Sequence, residues 1–118
     1  MAAGAVVAGS AAAAPPIVLA GDLTIDPDKE DLMLKTFRTE FRPAAARQPG
    51  FIDMHMLKVR PRANAPAGGP NYRFVLSFQS EELRLKWVAT EDHKRIWPVM
   101  QSTFKSSSFT SFDDVTQA

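Results

Sequence analysis

The chain has 118 residues and a mass of 13.0 kDa, enough for one domain and not two. Fourteen Lys and Arg against thirteen Asp and Glu leave a formal charge of +1, which gives no long-range field for holding a phosphate backbone, so no nucleic-acid partner is expected. The absence of cysteine excludes a disulfide framework, a thiolate zinc site and a cysteine nucleophile, and no run nears the roughly eighteen apolar residues of a membrane span.

Residues 1–16 (MAAGAVVAGSAAAAPP) are half alanine and uncharged, and read as a flexible extension. A secretory signal would need a basic start, yet no Lys or Arg precedes Lys29, so a cytoplasmic protein is expected. Pro15-Pro16 separates this segment from a single domain over 17–118.

Ile17 to Ile25 predicts a strand, with Ile17, Leu19, Gly21, Leu23 and Ile25 on one face and Val18, Ala20, Asp22 and Thr24 on the other. Asp26-Pro27 caps a helix whose first turn carries Asp28, Glu30 and Asp31. Leu34, Phe37, Phe41 and Ala44 form its apolar stripe, Pro43 is expected to kink it, and Pro49-Gly50 ends it.

A second strand, Phe51 to Arg60, alternates Phe51, Asp53, His55, Leu57 and Val59 against Ile52, Met54, Met56 and Lys58. Pro61 to Pro70 is a Pro- and Gly-rich loop, and Asn71 to Gln79 is a third strand with Tyr72, Phe74, Leu76 and Phe78 on one face. Ser80 caps a helix that carries Leu83 and Trp87, pauses near Thr90 and restarts at Glu91 with Ile96, Trp97, Met100 and Phe104. Pro98 argues for short pieces here, Ser106 to Ser108 for a turn, and Phe109 to Thr116 for a last strand.

The order strand, helix, strand, strand, helix, strand is that of a ferredoxin-like split βαβ fold of the α+β class, with a four-stranded antiparallel sheet. Both helices occupy one sheet face, so a second copy is the simplest cover for the other, and a homodimer is expected. The residues of that face are Val18, Ala20, Thr24, Val75 and Ser77, together with an Asp22–Arg73 pair.

The opening IVLAGDLTIDPDKED, the GFIDM after the first helix and the later FQSEELRLKWVATEDH resemble the antibiotic biosynthesis monooxygenase family over about Ile17 to Val115. The resemblance implies a dimeric α+β barrel with a pocket between helices and sheet. It also implies chemistry in which a phenolic polycycle is deprotonated and reduces O2 directly, with no flavin, heme or metal as cofactor. Where the family's anthrone oxygenases carry an Asn, a Trp and a Tyr, this chain has Phe74, Phe78 and Arg84. Where its heme-degrading branch carries an Asn, a Trp and a His, this chain has Gly21, Trp87 and Trp97, so the resemblance points away from heme degradation.

Two histidines are the candidates for acid/base work near neutral pH. His93, at the start of the restarted helix, falls near the mouth of the family's pocket and is expected to take a phenolic proton. Asp53 and His55, two apart on one strand, share a face and are expected to form a dyad; whether that face lines the pocket or the subunit interface is open from the sequence. Trp87, Trp97, Tyr72, Phe74 and Phe78 are expected to pack on a flat aromatic substrate, with the Tyr72 hydroxyl offered to a substrate oxygen; the same stripe is also what a plain core would show. The leading expectation is a cofactor-independent monooxygenase for an aromatic or polyketide-derived phenol, anthrone or quinol. The alternatives are a polyketide cyclase or dehydratase using the same pocket, and a non-catalytic binding dimer whose pocket is packed shut by Phe74 and Phe78.

Overall fold

The computed structural model describes residues 14–63 and 68–117. Residues 1–13 of the extension expected over 1–16, and residues 64–67 of the Pro61–Pro70 loop, therefore lie outside the described residues. Strands β1 (Ile17–Ile25), β2 (Phe51–Lys58), β3 (Tyr72–Phe78) and β4 (Phe104–Asp113) form one sheet in the order β2-β3-β1-β4, every neighbouring pair antiparallel. This is the ferredoxin-like arrangement the element order predicts. The two central strands, β1 and β3, alternate buried and less buried residues, with Leu23, Ile25, Tyr72, Phe74, Leu76 and Phe78 buried toward the helices.

Asp26 caps the first helical stretch by accepting from the Asp28 backbone N–H at 2.9 Å. The stretch continues through α1 (Glu30–Thr36), a wide π turn (Phe37–Phe41) and α2 (Arg42–Ala46). Proline 43 does not break it. In the wide turn the Arg42 N–H reaches back to the Phe37 carbonyl, so Pro43 stands at the start of a fresh helical turn, where its missing N–H costs little. Gly50 ends the excursion at a φ of +85°, a conformation other residues rarely adopt.

The strict alternation expected along the second strand is interrupted. Phe51 pairs with Phe78 and Asp53 with Ser77, so Ile52 is an extra residue bulged out of the ladder. The bulge resets the phase: Phe51, Met54 and Met56 pack on the core, while Asp53 and His55 fall on the face away from the helices.

Ser80 caps α3 (Glu81–Val88) and Thr90 caps α4 (Glu91–Gln101), accepting from the Leu83 and His93 backbone N–H groups. The break between the two falls at Thr90 as expected, but Pro98 lies within α4 without ending it. Its place on the exposed side leaves the unpaired carbonyl of the preceding turn to water. Two further expectations are corrected. Phe104 begins β4 instead of closing the helix, and Ser106 to Ser108 are not a turn but strand, paired with Thr24, Leu23 and Asp22. Serine tolerates extended backbone wherever a neighbour supplies the ladder, and β1 supplies it here.

Candidate active-site cavity

A cavity of about 350 Å³ opens between the helices and the sheet, at the small end of the ~300–1,000 Å³ range of ligand pockets. Its floor is Leu19, Phe74 and Leu76 from β1 and β3, its far wall is Phe41 from the wide turn, and Phe109 of β4 closes one side. The helices supply the rest at helical spacing: Arg84, Trp87 and Val88 from α3, and His93, Trp97 and Gln101, four apart, from α4.

His93 is held by rings on three sides. It stacks on Trp97 with centroids 5.8 Å apart and planes 26° off parallel, meets Trp87 edge-on at 5.1 Å, and lies 5.8 Å from Phe41. Among the described residues neither ring nitrogen has a hydrogen-bond partner. Burial, and then the positive charge of Arg84, hold its pKa below the usual imidazole value. At neutral pH it is therefore an uncharged imidazole with a lone pair free to accept a proton.

Arg84 is the cation of this cavity. Its side chain is 16% exposed, and it donates from Nε to Glu81 Oε1 at 2.6 Å and from Nη2 to Glu81 Oε2 at 3.1 Å. The pair is bidentate and keeps the Glu81 carboxyl below its ordinary range. Among the described residues no carboxylate lines the cavity. Neither Arg84 nor Gln101 was expected as a site residue, although Arg84 stands where the resemblance places the oxygenases' Tyr, and Gln101 lies four residues after Trp97 on the same helix.

The structure brings His93, Trp87, Trp97 and Phe74 together around the cavity and leaves the other four sequence candidates outside it. Asp53 and His55 do meet, with His55 Nε2 2.8 Å from Asp53 Oδ2, but on the opposite sheet face, 46% and 54% exposed. Asp53 also accepts from Arg42 Nη2 at 3.2 Å, and its pKa is lowered first by the Met54 backbone N–H and then by His55. The bulge at Ile52 decides that placement. Tyr72 is buried at the other end of β3, where its hydroxyl donates to Glu30 Oε2 at 2.5 Å; Lys58 Nζ lies 2.8 Å from the same oxygen. Phe78 is wholly buried and packs edge-on against Phe51 at 5.9 Å. It therefore does not plug the cavity. Among the described residues no three His, Asp or Glu side chains gather to hold a metal, and no helix is long and apolar enough to cross a membrane.

The sheet order and the cavity under the helices define an α+β fold of the ferredoxin-like class, the fold of the antibiotic biosynthesis monooxygenases. No family model matches the sequence, and no curated protein matches it. Among solved structures, SnoaB from Streptomyces nogalater, a cofactor-independent oxygenase solved as the N63A mutant, superposes with a TM-score of 0.72 at 14% identity, over 88% of this chain and 97% of that one. An antibiotic biosynthesis monooxygenase aligns with a TM-score of 0.64 at 18% identity, over 85% and 98% of the two chains. A dimeric ferredoxin-like protein of unknown function from Jannaschia sp. CCS1 gives 0.70 at 11% identity, over 83% and 98%.

Proposed function

We propose that the protein is a cofactor-independent monooxygenase of a flat phenol, anthrone or quinol of polyketide type, and that it works as a homodimer. The observation that carries the reading is the neutral, ring-stacked His93 in an aromatic cavity. Trp87 and Trp97 pack on the substrate rings, and His93 removes the proton of the phenolic or enolic hydroxyl, which an anthrone carries on the ring carbon in its keto form. The resulting oxyanion is delocalised onto that ring carbon and passes one electron to O2; the radical pair joins there, the peroxide takes the proton back from His93, and the hydroperoxide loses water. Two C–H bonds are thus replaced by one C=O, and the second oxygen atom leaves as water, so the substrate supplies all the electrons. The fold shared with SnoaB supports the assignment.

The dimer is supported by the sheet face away from the helices. Val18, Ala20 and Val75 are only half-buried there and Phe112 is exposed, with the Asp22–Arg73 pair (2.8 Å) set among them. Two of the solved neighbours are described as dimeric ferredoxin-like proteins. A second copy laid on this face would bury about 800 Å² per subunit, the scale of a stable interface.

The test is turnover of 1,8-dihydroxyanthrone under O2 in metal-free buffer, with product oxygen traced by ¹⁸O2. Formation of the labelled quinone is expected. No product, or product formed equally well without O2, overturns the oxygenase, and anaerobic turnover of a polyketide substrate would point to the cyclase instead.

A further inference from the structure

We infer that the cavity takes its ligand as an oxyanion, and that the outer edge of the Arg84 guanidinium is the group that holds it. The inference rests on the reading of the cavity as a site for an acidic hydroxyaromatic, and adds which group selects the charge.

Arg84 has five N–H donors, and Glu81 engages only the Nε and one Nη2 hydrogen. The two on Nη1 and the second on Nη2 have no protein acceptor among the described residues. Yet the side chain is 16% exposed and belongs to the lining of a cavity whose other walls are mostly aromatic and aliphatic. The free edge of the fork is open to water, since among the described residues no fully buried side-chain nitrogen lacks a partner. A ligand that fills the cavity and displaces that water must supply an acceptor in its place, and among the described residues no carboxylate lines the cavity to do so. The Glu81 pair fixes the plane of the fork, so little side-chain freedom is lost when a second oxygen binds on the other edge.

The same charge serves the base. Burial first, and the charge of Arg84 after it, disfavour imidazolium at His93 and keep the base in its accepting form. Once a hydroxyl or enol has ionised, its oxyanion neutralises Arg84 and stabilises the newly protonated His93 beside it. A cationic aromatic of equal size would meet Arg84 with nothing to offset the repulsion. The ligand class is therefore a flat ring system bearing one hydroxyl acidic enough to ionise in the cavity, and amines are rejected.

Alizarin provides the test. It is a tricyclic whose acidic hydroxyl changes colour on ionising, and it is already a quinone, so binding is read without turnover. Titrated with the full chain, bound alizarin should ionise about one pH unit or more below free alizarin. R84M should abolish that shift and weaken binding of the anion about tenfold or more, with R84K recovering part of it. E81Q removes the competing carboxylate and leaves Arg84 in place, so it should bind the anion more tightly than the native protein. If Arg84 mattered only as the partner of Glu81, E81Q and R84M would behave alike, and the inference would be overturned. It would equally be overturned by coinciding ionisation midpoints in native protein and R84M, or by native protein that does not bind alizarin. Should alizarin bind as predicted while the anthrone is not oxygenated, the oxygenase falls and this inference stands; should oxygenation proceed with unshifted midpoints, the inference falls alone.

Discussion

The ring of Phe109 on β4 stands against the bare backbone of Gly21 on β1, its cross-strand partner, filling the space where a Cβ at position 21 would stand. The glycine has no left-handed backbone to explain it; it makes room. Gly21→Ala would force the ring off the strand and into the cavity or out to solvent. The expected cost is about 1–3 kcal/mol in denaturant unfolding, the usual range for overpacking. In the double variant with Phe109→Ala, the penalty should fall well below the sum of the two singles. Additive penalties would show that the two residues do not share that space.

His93→Gln should lower anthrone turnover by about 10²–10⁴-fold, the usual contribution of a positioned base, with little loss of stability because the ring is only half-buried. The native rate should rise with pH through a value below that of free imidazole and be level by neutrality. Stability follows the same sign. Because the folded pKa is depressed, the unfolded chain binds the proton more readily, so stability is full above about pH 6.5 and is lost as the pH falls through the folded value. A rate that keeps climbing through pH 8 would point to a different base.

Tyr72→Phe removes a hydroxyl that is bonded inside the protein. A loss of about 1 kcal/mol is expected, with turnover unchanged, since the ring does not line the cavity. Burial, then the hydrogen bond to Glu30, push the Tyr72 phenol up to about 12. Stability from this group is full below about pH 10 and lost as the pH rises toward 12, a window that thermal melts of native and Tyr72→Phe protein should resolve. A fall in turnover with unchanged KM would return Tyr72 to the reaction.

Light scattering at micromolar concentration should give twice 13.0 kDa for the native chain. Phe112→Asp, on the exposed sheet face, should give a single-chain mass with the sheet signature of circular dichroism retained. A native protein that stays at one chain's mass at high concentration removes the dimer.

The strands and caps were legible because their signals are local. Alternation marks Ile17–Ile25 and Tyr72–Phe78, and Asp26 and Ser80 cap helices as their types suggest. The cavity was half legible: Trp87 and His93 lie in the FQSEELRLKWVATEDH stretch and Trp97 follows His93 by one helical turn, whereas Phe41 reaches the cavity through a wide turn that leaves no compositional mark. Asp53 and His55 show where local reading ends. Their mutual spacing holds, but one bulged residue ahead of them, Ile52, decides which side of the sheet they serve, and bulges are set by the pairing strand.

The wide turn at Phe37–Phe41 has a consequence for what lengths of this segment evolution can accept. Successive residues of a helix advance by about 100°. A wide turn takes up one extra residue locally, so deleting one here would restore an ordinary turn and leave the helix after it in phase. Arg42 would keep the Met54 carbonyl it holds at 2.9 Å, and Ala44 and Ala45 their buried side. What would be lost is the break that seats Pro43 at the start of a fresh turn, leaving the proline in a helix interior at a cost of about 3 kcal/mol. Related chains one residue shorter between Asp26 and Gly50 should therefore lack this proline, whereas a length change within the regular turns on either side should be absent.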